Sequence, residues 1–361
     1  MTKPASPVQA NLPAQNVVAK NDFFPVVVIG ASAGGLEAYT DFFHTLPVEM
    51  GMAFVLVQHL DPTHQSLLPE IIAKSTKMPV ETVRAGVTLR PNRVYVIPHD
   101  ALMEIADGAF KLTPRARKPG QHLAINFFMR SLAEAWGSRA IGIVLSGTGA
   151  DGTLGLESIK SEGGITFVQE PASAKFDGMP RSAIESGCAD FVLEPGEIAK
   201  ELRRIQLHPY VRREHSGKDA VWAGSEAIPV RPEEFTTILD QLRRGSGVDF
   251  SQYRPNTIHR RAMRRMVILK LESLGDYGKY MKENPEECQN LYDDVLIPVT
   301  SFFRDLETFE ALKTHVYPAI LKDKGNKGTI RMWAPGCSTG EETYSLAMTL
   351  LEFLGDRAAS Y

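Results

Sequence analysis

The run Val26-Val27-Val28-Ile29-Gly30-Ala31-Ser32-Ala33-Gly34-Gly35 constrains this chain more than any other stretch. A β-branched apolar run ends at a serine set among small residues. Leu36, Tyr39 and Phe43 then recur at i, i+3 and i+7, the spacing of one helical face. Buried strand, sharp turn and helix in immediate succession belong to an α/β sheet. The same geometry lifts a serine out of the sheet edge and presents its hydroxyl to solvent. Larger neighbours would collide with the turn or with a substrate.

The alternation continues. Val26–Ile29, Ala53–Val57, Val94–Ile97, Ala140–Leu145, Ile165–Val168 and Phe191–Leu193 read as buried strands. Ser66–Ser75, Ala124–Ala135 and Thr153–Ser161 read as helices between them. This predicts an α/β domain over residues 23–203, doubly wound around a mostly parallel sheet. Residues 1–22 read as a flexible tail. Residues 204–230 are polar and basic, broken by Pro209, Gly217 and Gly224, and read as a linker. Residues 231–296 turn helical, with Phe235, Ile238, Leu239 and Leu242 on one face. Residues 297–361 open a further α/β unit: a strand at Gly328–Ala334, a turn through Pro335-Gly336-Cys337-Ser338-Thr339-Gly340, and a helix from Glu341.

Composition narrows the function classes. The net charge of -3 gives no global field toward nucleic acid or an anionic membrane. No apolar run reaches the roughly 20 residues that span a bilayer. The first twenty residues lack an apolar core, so they are not a secretory signal. Cys188, Cys288 and Cys337 are scattered without CxxC spacing. That argues against a disulfide framework or a zinc site and suits a reducing, cytoplasmic setting.

Three predicted strand ends carry a nucleophile, a base and an acid. Ser32 sits in a G-x-S-x-G pentapeptide. Alone this motif also fits an ordinary strand-to-helix turn or a phosphate-binding loop, although neither G-x-G-x-x-G nor a P-loop matches. His59 ends Phe54-Val55-Leu56-Val57-Gln58-His59, at the edge where doubly wound sheets gather reactive groups. An imidazole there can take a proton from the serine and return it to a leaving group. His44, His64, His99 and His122 compete, but only His59 should lie on a strand beside that of Ser32. Asp151 follows Ile143-Val144-Leu145-Ser146-Gly147-Thr148-Gly149-Ala150. It can orient the imidazole, or simply cap a helix. The glycines around it leave backbone N–H groups for an oxyanion. The order Ser, His, Asp differs from that of α/β-hydrolases.

Gly30–Gly35, Gln58-His59 and Ser146–Gly152 resemble the three active-site motifs of the chemotaxis receptor methylesterase family. Gly163–Pro171 and Phe176–Ile184 resemble its later segments, so the likeness spans residues 24–202. It implies hydrolysis of glutamate γ-methyl esters on chemoreceptor-like proteins to glutamate and methanol, with no cofactor. Ser32 would be nucleophile, His59 general base and then acid, and Asp151 orienter. The backbone at Thr148 would contribute to the oxyanion site. Ala33 and Thr148 stand where the family often has Thr and Met, but a backbone donor survives both changes. No phosphoacceptor receiver domain precedes the esterase, so activation by that route is not expected.

Thr300-Ser301-Phe302-Phe303-Arg304-Asp305 and Trp333–Ser345 resemble segments of the chemotaxis receptor methyltransferase family. That likeness implies S-adenosylmethionine contacts at Thr300, Arg304 and Glu341. Pro298 replaces a common Asn. Only the opening strand and helix of that catalytic domain are recognised, so an incomplete methyltransferase that closes no cofactor pocket is expected. Arg254, Arg260, Arg261, Arg264 and Arg265 read as a solvated helix face or, by family analogy, as a docking surface for acidic receptor helices with Arg260, Arg261 and Arg264 at its centre. Nucleic-acid binding lacks the aromatic interleaving it needs. The expected partners are methyl-accepting chemoreceptor-like proteins, with a sensor kinase as a further candidate. Rival readings are a noncatalytic receptor-binding scaffold and a general carboxylesterase.

Overall fold

The computed structural model describes residues 24–58, 66–106, 108–114, 123–208, 210–211, 232–296, 302–304, 306–324 and 329–360. They fall into two compact units, divided in the chain near Gly224.

The first unit begins β1 (Val26–Ala31), α1 (Gly35–Thr45), β2 (Ala53–Gln58), α2 (Leu68–Ser75), β3 (Val80–Thr82) and β4 (Arg93–Val96). A hairpin follows, β5 (Ala101–Ala106) and β6 (Ala109–Pro114). Then come α3 (Ala124–Trp136), β7 (Ala140–Val144), α4 (Thr153–Ser161), β8 (Ile165–Gln169), α5 (Gly178–Glu185), β9 (Phe191–Leu193) and α6 (Pro195–Ile205). Seven strands form one sheet in the order β3-β4-β2-β1-β7-β8-β9. Every pairing in it is parallel.

All six residues of β1 are buried, as are all five of β7 and of β8. Strands covered on both faces are mostly apolar, which is why they read as near-continuous hydrophobic runs, and the buried polar residues of β8, Thr166 and Gln169, are hydrogen-bonded. β1 pairs with β2 on one side and β7 on the other. The chain therefore reverses its winding at β1, and the crevice at the carboxyl ends of such strands is where α/β sheets bind ligands. Tyr39 braces that edge from beneath. Its hydroxyl lies 3.2 Å from the Ile29 carbonyl and 3.3 Å from that of Val57. Full burial raises its pKa, so it stays a neutral donor.

The second unit opens with α7 (Pro232–Ser246), α8 (Pro255–Leu269), α9 (Leu274–Glu283) and α10 (Pro285–Val295). Ile238, Leu242, Ile258, Met266, Tyr277 and Leu291 are buried in its core. The predicted helical module is thus present, but its arginine face is not a solvated one. Arg264 is 0% exposed and donates to Asp294 at 2.7 Å. Arg265 makes a two-pronged pair with Glu287, at 2.8 and 2.6 Å. Arg261 is buried and Arg260 half-buried. Asp294 and Glu287 come from α10, so a helical wheel of α8 alone could not reveal them. The expectation of a docking surface centred on Arg260, Arg261 and Arg264 is corrected accordingly: the charge of Arg264 is spent inside the module.

Further on lie α11 (Leu306–Ala311), a π-helical turn (Leu312–Val316), α12 (Tyr317–Lys324) and α13 (Glu341–Leu354). Residues 329–334, expected as a strand, have no ladder. Trp333 is 88% exposed. A strand is stabilised by a neighbour's backbone, and none pairs with it among the described residues. No helix among the described residues is long and apolar enough to cross a membrane.

Candidate active site

Ser32 follows the last residue of β1 and precedes Gly34, the N-cap of α1, which has φ 72°. The left-handed backbone there turns the chain from strand into helix within three residues and favours glycine. The turn is tied to the end of β7. Ser32 N–H donates to the Ser146 carbonyl at 3.0 Å, and Gly35 N–H donates to the Ser32 carbonyl at 3.0 Å. The contact with β7 is close: a methyl group at Gly147 would lie 3.0 Å from Ser32 Cβ and 2.1 Å from Met179 Sδ. Ser32 is half-buried, at the positive end of the α1 dipole. In the first turn of α1 the Glu37 carboxyl is held below its usual range, first by a backbone hydrogen bond and then by Lys175 Nζ at 3.1 Å.

Ser146 organises this turn, and its role was not legible in the sequence. Its hydroxyl donates to the Ala33 carbonyl at 2.9 Å and accepts from Phe176 N–H at 3.0 Å. Its own N–H donates to Gln169 Oε1 at 2.8 Å. Gln169 in turn donates to the Ser173 carbonyl at 3.1 Å. Ser146 is 1% exposed and Gln169 2%. One buried serine thus joins the Ser32 turn, the β7 end and the segment 173–179.

Asp151 is 3% exposed. Its Oδ2 accepts from Ile125 N–H at 3.0 Å, and its Oδ1 from Asn126 N–H at 2.9 Å and Gly152 N–H at 3.0 Å. The first two donors belong to the first turn of α3, so the aspartate caps that helix. Asn126 returns the favour: its Oδ1 accepts from Gly152 N–H at 2.9 Å and Gly155 N–H at 2.8 Å, at the start of α4. Two helix N-termini are therefore capped by one another's side chains. The capping alternative raised by the sequence is real, though not for the helix that follows Asp151.

His59 lies outside the described residues, as do His64 and His122. It directly follows Gln58, whose register partner is Ala31, the residue before Ser32. His44 is in the last turn of α1, about 15 Å along the helix from the Ser32 end. His99 follows β4, on the far side of β2 from β1. Thr148 is exposed in the bend between Gly147 and Gly149. Among the described residues no cluster of His, Cys, Asp or Glu is placed to hold a metal ion.

Of the cofactor residues expected in the second unit, Arg304 and Glu341 are among the described residues. Thr300 lies outside the described residues. Arg304 is exposed. Glu341, at the start of α13, accepts from the Thr339 hydroxyl, which holds its pKa below the usual carboxylate range. A methyl at Gly336 would meet nothing within 4 Å among the described residues.

Comparison with known proteins places these features in families. Residues 27–202 match the family described as CheB methylesterase. Residues 233–296 match the CheR methyltransferase all-alpha domain, and residues 298–360 its SAM binding domain. A putative protein-glutamate methylesterase/protein-glutamine glutaminase of Leptospira interrogans is 31% identical over 191 residues, which is 53% of this chain and 99% of that protein. A protein-glutamate methylesterase/protein-glutamine glutaminase of Carboxydothermus hydrogenoformans is 32% identical, over 52% of this chain and 57% of that protein. An uncharacterized 104.1 kDa protein of Rhodobacter capsulatus is 35% identical over 298 residues, 79% of this chain but 31% of that protein. The chain thus spans under a third of the Rhodobacter protein and a little over half of the Carboxydothermus one.

Proposed function

This chain belongs to the CheB methylesterase family and continues into CheR-type domains, and on that premise we propose that its first unit hydrolyses glutamate γ-methyl esters on methyl-accepting chemoreceptors. The observation that supports the proposal is the strand order β2-β1-β7: Ser32 directly follows β1, Asp151 lies in the loop between β7 and α4, and β2 ends at Gln58, in register with Ala31.

The chemistry follows from roles at that edge. Ser32 Oγ attacks the γ-carbonyl carbon as His59 accepts the hydroxyl proton. The tetrahedral oxyanion meets backbone N–H groups of the turns at Ala33 and Thr148, together with the α1 N-terminus. The C–O bond to the methoxy group breaks, and His59 returns its proton so that methanol leaves. Water, deprotonated by the same imidazole, then attacks the glutamyl-serine ester and frees glutamate and Ser32. Asp151 holds the imidazole N–H, and the cap on α3 holds Asp151. The glutaminase part of the relatives' names describes the same acyl transfer with ammonia leaving instead. No methyl-transfer activity is proposed for the second unit.

Methanol release from a methylated receptor tests the reading. Ser32→Ala is expected to lower kcat by at least about 10³-fold. A Ser32→Ala protein with undiminished release overturns it.

A further inference from the structure

We propose that the ring of Phe176 is the wall on which the aliphatic part of the esterified side chain rests, making Phe176 a specificity-determining residue for the reaction proposed above, on which this inference depends. Its backbone is pinned from both sides. The N–H donates to Ser146 Oγ at 3.0 Å, and the carbonyl accepts from Gly147 N–H at 2.9 Å. The segment stays anchored beyond it, with Met179 N–H donating to the Gly147 carbonyl at 2.9 Å. A methyl at Gly178 would lie 3.1 Å from Gly149 N. Residues 176–179 therefore run along the loop that joins β7 to Asp151.

The ring lies against the nucleophile turn. A methyl at Gly34 would be 3.2 Å from Phe176 Cδ2 and 2.8 Å from Lys175 Cβ. Lys175 reaches on to Glu37, so its stem and the phenyl ring together cover Gly34. Phe176 nevertheless remains 41% exposed. Isolated exposed apolar residues are common on protein surfaces. This one differs in having a fixed backbone and in leaving open phenyl surface beside the turn that carries Ser32.

The substrate supplies a match. Below its carbonyl the reacting side chain is two methylenes, and beyond it a methyl ester. An immobile aromatic surface binds such a chain without ordering a flexible partner. The negative face of the ring disfavours the carboxylate that hydrolysis produces. The wall thus accepts the ester and disfavours the product.

The test compares Phe176→Ala and Phe176→Leu with the wild type on methylated receptor and on p-nitrophenyl acetate, an ester with no methylene chain. For Phe176→Ala the ratio of kcat/KM on receptor to that on the small ester is expected to fall about tenfold, mainly through KM, with Phe176→Leu intermediate. An unchanged ratio overturns the proposal, whether both activities are retained or both fall together. A wild-type chain that releases no methanol and whose Ser32 takes no fluorophosphonate label overturns the esterase reading and this inference with it. An active wild type with an unchanged ratio overturns the inference alone.

Discussion

Strand, glycine turn and helix occur in this chain both at Val26–Thr45 and at residues 329–354, and the two fared differently. In each the helix starts at a glycine N-cap in the left-handed region, Gly34 at φ 72° and Gly340 at φ 105°. In each the helix forms. Only the first forms its strand, because only β1 has parallel neighbours on both sides. Residues 329–334 carry the sequence of a strand without a ladder, and Trp333 stands in solvent. A turn and a helix are written locally, whereas a strand is a property of the sheet around it.

The turns differ in the same way. Around Ser32 the turn is bonded to Ser146, and through it to Gln169 and Phe176. Around Gly340 the contacts among the described residues are local, from Cys337 to Tyr344. If that difference is functional, the largest effect belongs to Asp151. Asp151→Asn should lower kcat for methanol release about 10⁴-fold, with a stability loss of only about 1–2 kcal/mol where its amide faces one α3 donor. Thermal melts run beside the assay separate the two, and equal damage to both would reduce Asp151 to a cap. Next are the two glycines. Gly34→Ala places a methyl 2.6 Å from Ser146 Oγ and should cost about 1–3 kcal/mol, besides impairing activity. Gly340→Ala meets Tyr344 at 3.4 Å and should cost about 1 kcal/mol through backbone strain alone. Hydrogen exchange of α1 and α13 reads each locally, and reversed magnitudes would break the comparison. The smallest effect is at Trp333. Trp333→Ala should change stability by less than about 0.5 kcal/mol, and a larger loss in chemical denaturation would mean that the segment is packed after all.

How much could be read in advance follows the same division. The inner strands were legible because burial on both faces leaves few polar positions in them, and Thr153–Ser161 stood out by its helical period. The three-residue β3 and the β5–β6 hairpin were missed. β3 is too short to show alternation, and one strand of the hairpin is half-exposed with an irregular pattern. At the candidate site, glycine-rich strand ends drew attention to Ser32 and Asp151. Ser146, Gln169, Asn126 and Phe176 did not, because each is bonded to a partner 23 to 113 residues away in the chain. The arginines of α8 misled for the same reason, since their carboxylate partners lie on α10.

The exchange of caps between Asp151 and Asn126 bears on how such a protein can decay. A lineage that abandoned the proposed hydrolysis could discard Ser32 cheaply, since the turn around it is tied through main-chain groups and the Ser146 hydroxyl. It could not so easily discard the aspartate, whose removal strands the first amides of a helix in the protein interior. Retention of the acid is therefore poor testimony that a descendant still works. The alcohol is the better witness.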